Sequence, residues 1–152
     1  MSALVAALLL AAAPPMAVID ELDTVKREPP PHGAIGMSTA WRISDHVPQP
    51  RRMEFRRRTL DIGAAIGEHQ IAHDEVYYVL DGEGEVVSDG QRAMLKPGMT
   101  AYLYDGAVVG IWQKGDKPLA LIIAYPVKEP VSCPAECTAP SPTAPARTGG
   151  DR

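Results

Sequence analysis

The chain has 152 residues, enough for one domain and not for two. Its formal net charge is −4, with 15 Lys and Arg against 19 Asp and Glu, which gives no general reason to expect nucleic acid or an anionic membrane as partner. Fifteen prolines and thirteen glycines demand many turns, and their clustering marks the boundaries between regions.

Residues 1–17 hold an apolar run, Leu4-Val-Ala-Ala-Leu-Leu-Leu-Ala-Ala-Ala13, that is too short to span a bilayer and fits the hydrophobic part of a secretory signal. It predicts a periplasmic or secreted protein, although no Lys or Arg precedes the run and Ala and Leu equally favour a buried N-terminal helix. Residues 18–53 read as an arm. A charged stretch from Val18 to Glu28 ends in Pro29-Pro30-Pro31, and residues 32–52 mix Gly, Ser and Pro with Trp41 and Ile43, as expected of a segment lying on a folded body. The basic run Arg51, Arg52, Arg56, Arg57, Arg58 straddles a predicted strand, so alternation sends its members to both faces, and a solvated face is the reading favoured.

Residues 54–126 behave differently. Short apolar runs recur, each bounded by turn chemistry: Thr59–Ile62 before Gly63, Val76–Leu80 before Asp81-Gly82, Glu85–Ser88 before Asp89-Gly90, and Ala93–Leu95 before Pro97-Gly98. Ala101–Tyr104 before Asp105-Gly106, Val108–Trp112 before Lys114-Gly115-Asp116, and Leu119–Tyr125 complete the series. Asp-Gly between apolar runs is a strong hairpin signal. Strands at this spacing with no helix between them predict an all-β sandwich or barrel of antiparallel strands. The remainder, residues 127–152, is rich in Pro, Ala and Thr without apolar periodicity and reads as a disordered tail. It holds the only cysteines, Cys133 and Cys137, which form either a small disulfide loop or two plain thiols.

One stretch of the barrel region carries a family resemblance. Gly63-Ala-Ala-Ile-Gly-Glu-His69-Gln-Ile71-Ala-His73-Asp-Glu75-Val-Tyr-Tyr-Val-Leu-Asp-Gly82 resembles the first conserved motif of the cupins: Gly, five residues, His, one, His, three or four, Glu, six, Gly. Each fixed position agrees except the second His, which is Ile71 here. In the second motif Gly98 and Gly106 hold, while Tyr104, Val109 and Gln113 stand where the family has Pro, His and Asn. The fold that the resemblance implies is a single-domain jelly-roll barrel, with the arm before it and the tail behind.

The chemistry implied is less simple. Metal-binding cupins use both His and the Glu of the first motif plus the His of the second. At those positions this chain keeps His69 and Glu75 and has Ile71 and Val109 at the others. Two protein ligands are few for a divalent transition metal such as Fe, Mn, Ni or Zn. His73 is the candidate third ligand, giving a set of His69, His73 and Glu75, but it matches a position outside the ligand motif and is read first as a turn His on the barrel rim. Alternation along the strands predicts a pocket wall of His69, Ile71, Glu75, Tyr77, Val109, Ile111 and Gln113. The His69–Glu75 pair is then either a satisfied internal hydrogen bond or a proton-transfer dyad. Tyr78, Trp112 and Tyr125 are expected outward or at a sheet–sheet contact, and Trp112 is a candidate for a homodimer interface or for the core.

Three functions follow from this reading. The first is binding of a small organic ligand, sugar-like or carboxylate-like, without turnover. The second is a metal-dependent dioxygenase, isomerase or lyase using His69, His73 and Glu75. The third is metal-free acid–base catalysis by His69, Glu75 and Tyr77.

Overall fold

The computed structural model describes residues 16–127. The apolar N-terminal run and the Cys133–Cys137 segment lie outside the described residues, apart from Met16 and Ala17 at the edge of the former. No helix among the described residues is long and apolar enough to cross a membrane.

Ten strands form two antiparallel sheets: β1 Val25–Glu28, β2 Ser38–Trp41, β3 Met53–Leu60, β4 Ala65–Gln70, β5 Glu75–Asp81, β6 Glu83–Ser88, β7 Gln91–Leu95, β8 Thr100–Leu103, β9 Val108–Lys114 and β10 Leu119–Pro126. The larger sheet has the order β1-β2-β3-β10-β5-β8 and the smaller β4-β9-β6-β7. Two single turns of 3-10 helix, Glu21–Thr24 and Ile43–His46, are the helical elements described. This is the all-β jelly roll the sequence implies.

The Asp-Gly turns divide into two kinds. Asp89-Gly90 joins β6 to β7 as a two-residue hairpin, with Ser88 opposite Gln91 and positive φ at both central residues (47° and 79°). That is the twist a tight hairpin requires. Asp81-Gly82 and Asp105-Gly106 are instead corners where the chain leaves the six-stranded sheet for the four-stranded one. The expected hairpins are absent there because the neighbour of each strand is chosen by sheet packing, not by the turn. At the first corner a Cβ on Gly82 would overlap the Pro118 carbonyl, so close backbone approach as well as φ requires glycine.

Inner positions of both sheets supply the core, in which Leu60, Val79, Val109, Ile111, Leu119 and Leu121 are fully buried. Each such side chain contributes about 1.5–3 kcal/mol through burial. Trp112 sits outside this core on the outer face of β9, half-buried, with its ring over Gly110 and the Arg92 guanidinium 5.7 Å from its centroid.

The arm is built into the barrel rather than laid upon it. β2 pairs with β3 from Ser38 opposite Leu60 to Trp41 opposite Arg57, and β1 pairs with β2. Arg58 fastens this edge from inside, donating to Ser38 Oγ at 2.6 Å and to Glu28 at 2.9 Å. Between β1 and β2 the chain crosses to the other sheet, where Ile35 and Ala65 exchange both backbone hydrogen bonds (2.9 and 3.3 Å). Residues 32–37 therefore run alongside β4, the edge strand of the smaller sheet, from Gly67 back to Asp61.

Candidate functional site

A cavity of about 310 Å³ lies between the two sheets, with this loop at its side. On the six-stranded sheet its wall follows from register. Arg56, Ile123 and Tyr77 stand side by side on β3, β10 and β5, and Arg58, Leu121 and Val79 form the next inward row. Glu75 and Tyr125 complete this wall toward the mouth. The opposite wall comes from β4 and the turn after it: Ile66, His69, Ile71 and His73. The β4–β9 register shifts between Ile66 and His69, a bulge that re-aims the imidazole after Ile66 has packed into the core. Pro31 and His32 of the arm close the remaining side.

Glu75 is 6% exposed, and its carboxyl group makes no hydrogen bond to another described residue. Burial pushes its carboxyl up to about 7, and the nearby Arg56 guanidinium offsets only part of this. Tyr77 is almost wholly buried, and burial, then the Glu75 and Tyr125 oxygens, hold its phenol well above the ordinary value. Arg56 spends Nε on Glu54 (2.9 Å), while Asp45 stands 3.9 Å from one terminal nitrogen, beyond hydrogen-bond reach. The terminal edge of this guanidinium is therefore without a hydrogen-bonded partner among the described residues. Glu54 is itself held by Arg51, so the pair is part of a buried ionic cluster.

His69 stacks on His32 with ring centroids 3.9 Å apart and planes 15° from parallel. Its Nδ1 lies 2.9 Å from the Gly67 carbonyl, which can only accept, so Nδ1 carries the proton. His73 stacks on Tyr125 (4.2 Å, 4°), with Nδ1 3.3 Å from the Asp74 carbonyl.

The expected site residues separate into two groups. His69, Ile71, His73, Glu75 and Tyr77 line one cavity, but no hydrogen bond joins His69 to Glu75. Val109, Ile111 and Gln113 lie outside it. All three point inward as alternation requires, yet Val109 and Ile111 are fully buried core. The Gln113 amide is consumed by backbone, accepting from Gly63 N (2.7 Å) and donating to the carbonyls of Lys114 (2.7 Å), Gly115 (3.0 Å) and Lys117 (2.7 Å). Inward direction alone does not make a pocket wall, because the barrel is filled below its mouth.

Other residues enter the site unanticipated. Arg56 and Arg58, read as a solvated run, are inward; Arg58 is 3% exposed, and Arg57 is the outward member, stacked 4.2 Å over Trp41. The alternation of Glu54, Arg56, Arg58 and Leu60 along β3 carried that information, since Leu60 sets the inner face. Tyr125, expected outward or at a sheet–sheet contact, faces the cavity because β10 lies centrally in the sheet with odd-numbered residues inside. His32 had no local signal at all.

The donors present do not fit the metal that the family fold suggests. Ile71 and Val109 offer no ligand atom, and among the described residues no three His, Cys, Asp or Glu side chains gather closely enough to hold an ion. His73 is engaged with Tyr125 and lies apart from such a set.

Fold and cavity together define a small jelly-roll barrel with a pocket between its sheets. Residues 56–125 match the model of the cupin domain, so this part of the chain is a cupin domain. Solved structures agree. A predicted oxalate decarboxylase from Thermotoga maritima is 22% identical, with a TM-score of 0.65 over 73% of this chain and 99% of that one. An RmlC-like cupin from Shewanella frigidimarina is 18% identical, with a TM-score of 0.57 over 75% and 95%. KdgF from Halomonas sp. is 22% identical, with a TM-score of 0.51 over 60% and 81%. At such identities the likeness speaks for the fold alone. No curated protein shows significant similarity to the chain.

Proposed function

We propose that the cavity binds a small organic carboxylate. The observation that carries this reading is Arg56, a cavity-lining residue whose terminal nitrogens have no hydrogen-bonded partner among the described residues. A planar guanidinium edge matches a carboxylate in charge and geometry. The remaining lining adds a second guanidinium, that of Arg58, itself held by Glu28, against the single carboxyl of Glu75. Ile66, Ile71 and Ile123 supply an apolar floor for a short carbon skeleton. Calorimetric titration with propionate and with neutral propionamide tests the proposal. Propionate should bind saturably and propionamide at least about tenfold more weakly, and Arg56→Ala should cost propionate a similar factor. Equal affinity for acid and amide, or an unchanged Arg56→Ala, would overturn it.

A second reading, turnover by acid–base chemistry at Glu75 with His69 and Tyr77, is supported by one further observation. The Glu75 carboxyl, at about 7, is poised to give or take a proton near neutrality. Deuterium uptake from heavy water into the α-carbon of a bound carboxylate, followed by NMR and lost in Glu75→Gln, is the expected result. No uptake across a series of such acids leaves binding alone. We further read residues 1–17 as an export signal, supported by their apolar run. Fractionation of cells expressing the full chain should then find it outside the cytoplasm.

A further inference from the structure

The arm supplies the site with something its strands do not. His32 has φ +59°, a left-handed conformation that is costly for a residue with a side chain. Its ring nevertheless lies flat on His69. Gly67 explains how the arm comes so close: a Cβ there would run into the carbonyl oxygens of both His32 and Gly33. The Ile35–Ala65 bridge then pins the far side of the turn to β4. A strained residue, a glycine that accommodates it and a paired bridge thus all place one imidazole against another at the cavity wall.

That contact restricts how the His69 ring can turn. One face is covered by His32, and Nδ1–H is spent on the Gly67 carbonyl. In the neutral ring, Nε2 remains as a lone pair with no hydrogen-bond partner among the described residues. Such a nitrogen does not receive a carboxylate. It receives a donor, and the simplest donor on a small organic acid is a hydroxyl. Arg56 stands on the six-stranded sheet and His69 on the four-stranded one, so the two groups address opposite ends of whatever lies between.

We infer that the ligand is a small hydroxylated carboxylate, its acid group on Arg56 and a hydroxyl donating to His69 Nε2, with His32 of the arm as the positioning residue that holds the His69 ring in place. The inference rests on the carboxylate reading of the same cavity. It is tested with glycerate and propionate, which share a three-carbon acid skeleton and differ in their hydroxyls. Wild-type protein should prefer glycerate by about tenfold or more, since a site built around a hydroxyl discriminates against a ligand that lacks it. His69→Ala and His32→Ala should both cost glycerate more affinity than propionate, so that the preference is lost. His32→Phe, which keeps a ring to stack, should restore most of it, a rescue that a merely structural role for the arm does not predict. Thermal melts establish that each variant is folded, and Gly67→Ala, which forces the arm away, should reproduce the His32→Ala result. Equal binding of the two acids by wild type, with Arg56 dependence intact, overturns the hydroxyl and spares the carboxylate. A preference that survives His32→Ala overturns the role of the arm. Failure of both acids to bind overturns the underlying reading itself.

Discussion

β3 and β9 both turn alternate side chains into the barrel, yet they treat the interior in opposite ways. The inner face of β9 carries Val109, Ile111 and Gln113, and nothing of it reaches the cavity. The inner face of β3 carries Glu54, Arg56, Arg58 and then Leu60, and two of these line the cavity. Apolar groups are stabilised by burial itself. Charged ones stay inside only where partners hold them, as Arg51 and Arg56 hold Glu54, and Glu28 and Ser38 hold Arg58. This barrel thus gathers its buried guanidinium groups on one strand, and the pocket forms beside them.

Breaking the β3 cluster should have the largest effect. Glu54→Ala takes the buried carboxylate from Arg51 and the partly buried Arg56 and leaves them only Asp45, and a loss of about 3–5 kcal/mol is expected in urea unfolding. A loss below about 1 kcal/mol would mean that water reaches the cluster freely.

Glu75 sharpens the contrast from the other wall, as a buried carboxyl without a hydrogen bond. Its folded pKa, about 7, lies above the unfolded value near 4.5. Its contribution to stability is therefore fully present below about pH 4.5 and is lost as pH rises to 7 and beyond. The span corresponds to about 3 kcal/mol. Glu75→Gln should remove this dependence and be the more stable protein at pH 8; a variant whose pH–stability curve keeps the wild-type slope between pH 5 and 7 would refute the burial argument.

Turning the apolar strand polar is the converse experiment. Val109 is directly opposite His69, and Ile71 follows on the same wall. Ile71→His with Val109→His should create a divalent site with His69 and Glu75, and zinc at a hundredfold excess over its dissociation constant should raise stability by about 2.7 kcal/mol. Stoichiometric metal in purified wild-type protein, lost in His69→Ala, would show instead that the native donors suffice. The smallest effect belongs to Ile111→Val, where one methylene leaves a fully buried position at a cost of about 0.5–1.5 kcal/mol and ligand affinity stays the same.

Much of this was legible in the sequence. The resemblance of the Gly63, His69, Glu75 and Gly82 spacing to the cupin motif pointed to the barrel, and the Asp89-Gly90 dipeptide to a hairpin, the latter because it rests on local backbone needs that neighbours do not alter. The two other Asp-Gly pairs misled, since the same positive-φ glycine serves a hairpin and a corner equally well. Arg56 and Arg58 were hidden by composition: charged residues are so rarely buried that their alternation with Leu60 carries little weight until Glu54, Glu28 and Ser38 are seen beside them.

By itself, then, the sequence determined the class of fold and the bounds of most strands through periods and turn residues that act within a few positions, and its resemblance to the cupin motif pointed to His69, Ile71, His73, Glu75 and Tyr77 of the cavity. Tertiary structure alone decided where the barrel stays hollow and which charges line the hollow. It also decided that His32, 37 positions before His69 in the chain, rests on its ring. The reason is physical: a pocket is the space that packing leaves unfilled, and that space depends on contacts between segments whose separation along the chain no local pattern records.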